Sequence, residues 1–408
     1  MHGRAFLLES ATVNGQSLPA TTPPANPSGM ETILTNARLL TEAGVLAGTL
    51  VHAGGVIRAA EPGRSHASGA VDVEGDFLAP GLIECHTDNL ERHFLPRPNV
   101  IWPNALAAAL GHDSQMAAAG VTTVYDAVSV GFYDSRTQFR KTLFRTMIDA
   151  VQAGVRENLF RLDHRIHLRC ELSDPGLIEE LETDLDLPLV KLASLMDHTP
   201  GQRQWRDPNY LRAFIRGQGV RDAEIDVILA ERVERAEGAV QSNWPRAVEL
   251  MRGRGILLAS HDDTTEAHVA AAAAAGCTIS EFPTTLEAAR AARRVGMRIV
   301  AGAPNVVRGG SHTGGVAARE LAAEGLLDTL SSDYVPASLL QSVRLLADEP
   351  GLGLAEAIGL VTWRAADMLG LPDRGRLAPG LRADIVRFRF AGDTPVVKSL
   401  VRGGERVF

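Results

Sequence analysis

The sequence predicts an α/β protein, a (β/α)8 TIM-type barrel joined to a small β domain that both chain ends build, and three observations predict it. Eight apolar runs of strand length alternate with segments of helix length over residues 79–372, about the length of one such barrel. Short apolar runs separated by glycine-containing turns, a pattern typical of small β-strands, occupy residues 30–78 and occur again in residues 373–408. Histidines and carboxylates stand where the apolar runs end, which is where barrel enzymes place their chemistry.

The two ends of the chain have different compositions from its middle. Residues 1–29 are rich in Ser, Thr, Pro, Gly and Ala, and such a segment has too little apolar surface to pack, so we expect a flexible leader. The runs ETILTNARLL and GVLAGTLVHAGGVIRAA then predict short antiparallel strands. Because DRGRLAPGLRADIVRF returns to the same style near the other end, we expect both ends to share one sheet.

The barrel strands follow in a β–α rhythm. They are predicted at GLIECHTD, VTTVYDAVSV, HRIHLRCEL, LPLVKLASLMD, GILLASHDD, CTISEFP, MRIVAGAPN and TLSSDY. Segments such as TLFRTMIDAVQAGVREN and LEAARAARRVG have the length of the connecting helices. A longer insertion, about residues 200–254, separates the fourth and fifth strands, and its pattern predicts mostly helix.

Composition narrows the class of partner. The chain has 408 residues, 45% of them hydrophobic, which is enough for a large core. The net charge of −8 without a cluster of basic residues argues against nucleic acid, and the lack of an apolar run of about 18 residues argues against a membrane span. Cys85, Cys170 and Cys277 lie far apart, which predicts free thiols and a cytoplasmic location. We therefore expect the protein to act on a small molecule and to be able to form a homo-oligomer.

The end of the first barrel strand carries an unusual polar pattern. Side chains alternate along a strand, so Glu84, His86 and Asp88 share one face and Cys85 is expected on the other, against a helix. His86 and Asp88 can therefore reach one metal ion. A lone histidine or aspartate at a strand end is more often a capping or hydrogen-bonding residue than a metal ligand. On that interpretation, Asp88 hydrogen-bonds His86 and orients it without binding the metal.

Further candidate ligands stand at the other strand ends. They are Asp126, Glu171, Asp197, His198, His261, Asp262, Asp263, Glu281, Asn305 and Asp333. Several imidazoles and carboxylates at one barrel mouth predict a divalent metal site, of zinc, iron or manganese rather than calcium.

These segments resemble a known family. LAPGLIECHTD, with GRLAPGLRADIV much later, is similar to the amidohydrolase superfamily of metal-dependent hydrolases, whose first barrel strand ends in His-x-His. Seven dispersed segments resemble its PhnM branch, which acts on a ribosyl triphosphate in phosphonate breakdown. They are HTDNLERHFLPRPNVIWP, HLRCELSD, SLMDHTPGQRQW, LASHDDTT, SEFPTTLEAARAAR, GAPNVVRGGSHTGGVAA and LSSDYVPASLL.

The resemblance implies roles for particular residues. Asp88 takes the place of the second histidine, so the metal ligands would be His86, Asp88, Glu171, His198, His261 and Asp333. Two ions are expected, with zinc favoured and iron or manganese as alternatives. Glu171 is the expected bridge between them, and a carboxylated Lys191 is the alternative, although it lies deep in its strand. Asp333 would be the general base that takes a proton from water.

The resemblance also implies contacts to phosphate. A guanidinium group can donate two parallel hydrogen bonds to the oxygens of one phosphate group. The candidate substrate ligands are Arg308 and His312 in GAPNVVRGGSH, Arg203 in TPGQRQ and Arg97 in LPRPN. The expected reaction is cleavage of α-D-ribose 1-methylphosphonate 5-triphosphate to the 5-phosphate and pyrophosphate. Hydrolysis of a C–N bond by a deacetylase, deaminase or cyclic amidase is the alternative, because the fold alone does not separate them.

Overall fold

The computed structural model describes seven stretches of the chain. The predicted leader and His312 lie outside the described residues. The described stretches are 31–97, 100–131, 139–184, 188–217, 219–311, 313–349 and 352–408.

Strands and helices are numbered in chain order. The strands are β1 Thr32–Thr41, β2 Gly44–Ala53, β3 Val56–Pro62, β4 Val71–Asp72, β5 Phe77–Pro80, β6 Leu82–Thr87, β7 Val121–Val130, β8 Asp163–Glu171, β9 Val190–Met196, β10 Leu257–His261, β11 Ile279–Glu281, β12 Arg298–Gly302, β13 Thr329–Ser331, β14 Ile385–Ala391, β15 Thr394–Arg402 and β16 Glu405–Arg406. The α-helices are α1 Asn89–Phe94, α2 Ala105–Ala118, α3 Phe139–Arg156, α4 Leu177–Asp184, α5 Pro208–Gly217, α6 Asp222–Ala236, α7 Ala239–Gly253, α8 Glu266–Ala274, α9 Leu286–Arg294, α10 Ala303–Arg308, α11 Ala318–Ala323, α12 Ser338–Leu346, α13 Leu354–Gly359 and α14 Trp363–Met368.

The first sheet joins the two ends of the chain, as the sequence predicts. Its strand order is β16-β15-β14-β5-β1-β2-β3, and β4 pairs with β1. Strand β5 makes the junction, because it pairs in parallel with β1 and antiparallel with β14. On one side of this sheet, apolar residues of several strands pack into one cluster that includes Leu39, Leu50, Ile57, Leu78 and Ile385. The boundaries of a separate domain at residues 30–78 and 373–408 stay a prediction.

The second sheet is the barrel. Eight parallel strands follow chain order from β6 to β13, and each overlaps one of the predicted runs. A parallel bridge between Thr87 and Asp333 links the last strand to the first. The carboxyl ends of all eight strands therefore meet at one mouth, which brings the polar strand ends together.

Strand β6 departs from strict alternation. Its pairing with β7 shifts register between Glu84 and Thr87. Cys85 belongs to a buried cluster with Ile83, Tyr125 and residues of four further barrel strands and α14, and does not pack against an outer helix. The expected orientation of Cys85 is wrong, because Cys85 shares the inner side with Ile83, and the irregularity lets the next residue, His86, turn inward as well.

The insertion between β9 and β10 covers one side of the mouth. It contains a 3-10 turn, Arg203–Trp205, followed by helices α5, α6 and α7. Trp205, Leu211 and Ile225 belong to an apolar cluster of its own. Among the described residues, no helix is both long enough and apolar enough to span a membrane.

Candidate active site

A cavity of about 1130 Å³ opens at the carboxyl ends of the barrel strands. Its floor includes His86, His198, His261 and Asp333, and the insertion contributes Trp205 to its wall. This volume is slightly above the usual range of about 300–1,000 Å³ for a small-molecule site.

One buried carboxylate holds two of the histidines. His86 Nδ1 lies 3.1 Å from Glu281 Oε1, and His261 Nδ1 lies 3.3 Å from Glu281 Oε2. Beneath it, Ser194 donates a hydrogen bond to Glu281 Oε2. A carboxylate that accepts from Nδ1 fixes the tautomer in which Nε2 carries the free lone pair, so both rings offer Nε2 as a metal ligand.

His198 is oriented in the same way by a different residue. Its Nδ1 lies 2.6 Å from Glu171 Oε2, and its main-chain N donates to Glu171 Oε1 over 3.1 Å. Burial opposes protonation, but the carboxylates of Glu171 and Asp262 together outweigh it and raise the pKa of His198 to about 9. The Ser173 hydroxyl also donates to Glu171, over 2.6 Å. Glu171 therefore orients His198 in this structure, and a bridging role requires its carboxylate to turn.

Asp262 completes a set of atoms that fits a metal ion. Its Oδ2 is buried without a hydrogen-bond partner, 3.4 Å from His261 Nε2 and 3.7 Å from His198 Nε2. The candidate ligand atoms of these three residues all lie within 4.8 Å of one another. An orphaned carboxylate oxygen facing two imidazole nitrogens is the donor set that a zinc-like ion accepts.

The backbone at this mouth is strained. Asp262, Phe282 and Asp333 have φ values of 55°, 51° and 52°, in the left-handed region that residues other than glycine rarely adopt. Each follows the end of a barrel strand directly or within two residues. Such strain persists where a site requires a particular side-chain direction.

The remaining acids lie on the side of the mouth where the barrel closes. Asp88 Oδ1 is 4.0 Å from His86 Nε2 and accepts a hydrogen bond from Arg169 Nη1. Burial and the neighbouring Asp88 carboxylate raise the pKa of Asp333 to about 6. A carboxylate with a pKa near neutrality suits proton transfer at physiological pH.

The structure brings the six predicted metal ligands to one cavity, which is lined by His86, Asp88, Glu171, His198, His261 and Asp333. Lys191, the alternative bridge, is exposed and is the second residue of β9, near the end of the strand away from the mouth.

The predicted phosphate ligands divide into two groups. Arg97 and Arg308 are exposed, line the cavity and have no ion-pair partner within the part of the chain that is described. Arg203 is buried instead, and its Nη1 donates to the His261 carbonyl and to Asp263 Oδ1, each over 2.7 Å. This pair ties the insertion to the end of β10, so Arg203 reaches a substrate only if the pair breaks.

Three residues of this site received no role from the family resemblance. Asp262 and Glu281 were among the candidate ligands at the strand ends, but nothing in the sequence separates ligands from residues that orient ligands. Arg169 shares the parity of Glu171 on β8, and that spacing was the available signal for it.

A second buried cluster lies away from the cavity. Asp126 accepts from His112 Nε2 and from His164 Nδ1, each over 2.7 Å, and His164 Nε2 lies 3.4 Å from Asp113. Burial opposes protonation of His164, but Asp126 and Asp113 raise its pKa to about 9. Because each acid here has imidazole donors, the cluster is a satisfied polar network that needs no metal.

The chain is similar to proteins of known activity. Residues 230–407 match the profile of the amidohydrolase family. The alpha-D-ribose 1-methylphosphonate 5-triphosphate diphosphatase of Escherichia coli (strain K12) is 44% identical over 379 residues, which are 92% of this chain and 100% of that protein.

Solved structures give the same fold. A 5-methylcytosine deaminase from Klebsiella pneumoniae liganded with phosphonocytosine is 15% identical with a TM-score of 0.62, over 92% of this chain and 98% of its own. The N-acetyl-D-glucosamine-6-phosphate deacetylase from Mycobacterium smegmatis is 18% identical with a TM-score of 0.60, over 92% of this chain and 100% of its own. At these identities the likeness concerns the fold alone.

Proposed function

The chain belongs to the amidohydrolase family of metal-dependent hydrolases, and we propose that it cleaves α-D-ribose 1-methylphosphonate 5-triphosphate to the 5-phosphate and pyrophosphate in phosphonate catabolism. The observation that carries this proposal is the 44% identity that extends over the whole of the Escherichia coli diphosphatase. The cavity agrees with it, because a cluster of metal-ligand atoms lies in one space with Arg97 and Arg308, which have no ion-pair partner among the described residues.

The cofactor in this proposal is a pair of divalent ions, with zinc favoured over iron or manganese. His198, His261 and Asp262 would hold one ion, and His86, Asp88 and Asp333 would hold the other. A bound divalent ion would supply Lewis acidity and lower the pKa of water. Glu171 would bridge the two ions after turning away from His198, or else remain as the residue that orients His198.

The chain's own residues supply the rest of the chemistry. Asp333 accepts a proton from the attacking water as the new P–O bond forms, and the anhydride P–O bond to pyrophosphate breaks. Arg97 and Arg308 neutralise the phosphate oxygens from the wall of the cavity. His312, which lies outside the described residues, joins this set on the grounds of its motif alone. Glu281 keeps His86 and His261 in their ligating orientation throughout.

The test compares products across substrate classes. Protein loaded with zinc, manganese or iron is incubated with ribosyl 5-triphosphates and, separately, with N-acyl sugars, aminopyrimidines and cyclic amides. Release of pyrophosphate from the triphosphates alone supports the proposal, and release of acetate or ammonia from the second panel supports C–N hydrolysis instead. A cytoplasmic location and a homo-oligomer remain part of the proposal, to be checked by fractionation and by light scattering.

A further inference from the structure

We propose that Arg169 is a catalytic residue whose guanidinium group binds the triphosphate and stabilises the negative charge on the oxygens of the phosphoryl group under attack. This inference rests on the proposed diphosphatase function.

Arg169 occupies a central place in the mouth of the barrel. It lies on β8 two residues before Glu171, and its side chain lines the cavity with 19% of its surface exposed. Its Nη1 donates to Asp88, and the main-chain N–H of Asp88 donates to the carbonyl of Asp333 over 2.8 Å. The guanidinium group is therefore bonded to a proposed metal ligand that is itself bonded to the main chain of the proposed general base.

The hydrogen-bonding capacity of Arg169 is largely unused. A guanidinium group carries five N–H donors, and Asp88 is the hydrogen-bond partner of Arg169 among the described residues. Its Nε is buried without a partner. An unpaired buried donor typically costs about 1–3 kcal/mol, so a fixed arginine with spare donors is expected where a ligand supplies acceptors. Phosphate oxygens match the fork of a guanidinium group.

The charge of Arg169 gives a second and independent argument. A guanidinium cation next to metal-ligand residues repels a divalent ion and so weakens metal binding. A substrate with several negative charges explains why Arg169 lies beside the metal ligands. The guanidinium cation then stabilises both the bound substrate and the transition state. In the absence of substrate, Asp88 holds the guanidinium group, and a phosphate would compete with Asp88 for it.

The competition between Asp88 and phosphate yields a test that does not depend on metal. Calorimetry would measure the binding of inorganic pyrophosphate to metal-free protein for the wild type, Arg169→Met, Arg169→Lys and Asp88→Asn. Arg165→Met is the matched control, because Arg165 lies on the same strand and bonds to Tyr125 Oη over 3.2 Å, and it does not line the cavity.

We expect Arg169→Met to weaken pyrophosphate binding roughly 10-fold to 100-fold, the loss of one charged hydrogen-bonding group. Arg169→Lys should keep the charge but lose part of that affinity, and Asp88→Asn should bind pyrophosphate more tightly than the wild type. In the metal-loaded enzyme, Arg169→Met should lower kcat by roughly 100-fold or more, with metal affinity unchanged or raised.

Equal pyrophosphate affinity in the wild type and Arg169→Met would overturn the inference. So would an Asp88→Asn variant that binds pyrophosphate less tightly, because Arg169 would then serve only to position Asp88. Failure of the proposed function looks different. If the proposed function is wrong, the wild-type enzyme would release no pyrophosphate from a ribosyl triphosphate. The binding of free pyrophosphate would still depend on Arg169.

Discussion

The main-chain N–H of Asp88 donates to the carbonyl of Asp333 over 2.8 Å, and this bond joins the end of the first barrel strand to the end of the last. Thr87 adds a hydroxyl bond of 2.9 Å to the same carbonyl. The two carboxylates are held on neighbouring strands, and Asp88 adds to the effect of burial on the pKa of Asp333. The closure of the barrel and the basicity of the proposed catalytic acid–base group therefore have one structural origin.

The first prediction concerns Asp333→Asn in metal-free protein. Because the folded pKa of Asp333 is about 6 and the unfolded value is 3.8, the folded state keeps a proton that the unfolded state loses, and wild-type stability falls as pH rises from about 4 to about 6. Solvent in the cavity screens part of this, so the variant should be more stable than the wild type by about 1–2 kcal/mol at pH 7.5. Urea unfolding with a chelator present measures the difference. A difference that is the same at pH 4.5 and pH 7.5 would contradict the account.

Glu281→Gln should weaken metal binding. The amide NH₂ of glutamine cannot accept from Nδ1, so His86 and His261 would lose their shared acceptor at one of its two oxygens. Loss of such an orienting carboxylate typically lowers metal affinity roughly 10-fold to 100-fold. Competition with a chromophoric chelator measures the affinity, and Glu287→Gln, at an exposed position on α9, is the control. Unaltered metal affinity would show that Glu281 does not orient these ligands.

Arg203→Met should lower stability and leave the KM for the triphosphate nearly unchanged at a permissive temperature. Arg203 is 7% exposed and its partner Asp263 is fully buried. The variant therefore leaves the Asp263 carboxylate buried without its cationic partner, which lowers the free energy of unfolding by about 3–5 kcal/mol. Thermal unfolding and steady-state kinetics give the two values, and Arg206→Met, an exposed neighbour, is the control. A raised KM at wild-type stability would instead return Arg203 to the set of phosphate ligands.

Arg308→Ala should raise the KM for a triphosphate substrate roughly 10-fold or lower kcat, with metal content unchanged, because it removes a charge-assisted contact to phosphate. Arg308 ends α10 at the cavity, whereas Arg389, an exposed residue of β14, provides a control with the same change of charge. Kinetics should be paired with elemental analysis of bound metal. Wild-type kinetics in Arg308→Ala would assign the residue to the surface.

Much of this architecture follows from the sequence. The eight barrel strands were predictable because each is a short apolar run bounded by turn residues, and the gathering of their polar ends follows from the parallel topology. The sharing of one sheet by both chain ends was predictable from the matching style of their strands.

Two features were not predictable, for physical reasons. The register shift in β6 depends on how that strand pairs with β7, so alternation alone could not show that Cys85 and His86 both face the inside of the barrel. The pairing of Arg203 with Asp263 and the pairing of Glu171 with His198 depend on distances between loops that follow different strands. A sequence pattern identifies which residue types reach the mouth, and tertiary contacts decide which of them remain free for a ligand.

We propose that this cavity cleaves a ribosyl 5-triphosphate to the 5-phosphate and pyrophosphate. Phosphorus NMR of metal-loaded protein with α-D-ribose 1-methylphosphonate 5-triphosphate tests it most directly, with Asp333→Asn as the inactive control, expected to be slower by roughly 100-fold to 10,000-fold. The account predicts that the triphosphate signals are replaced by those of pyrophosphate and a 5-phosphate monoester, while the methylphosphonate signal keeps its ester linkage. Spectra that stay unchanged, or that show only orthophosphate and a 5-diphosphate, would contradict it.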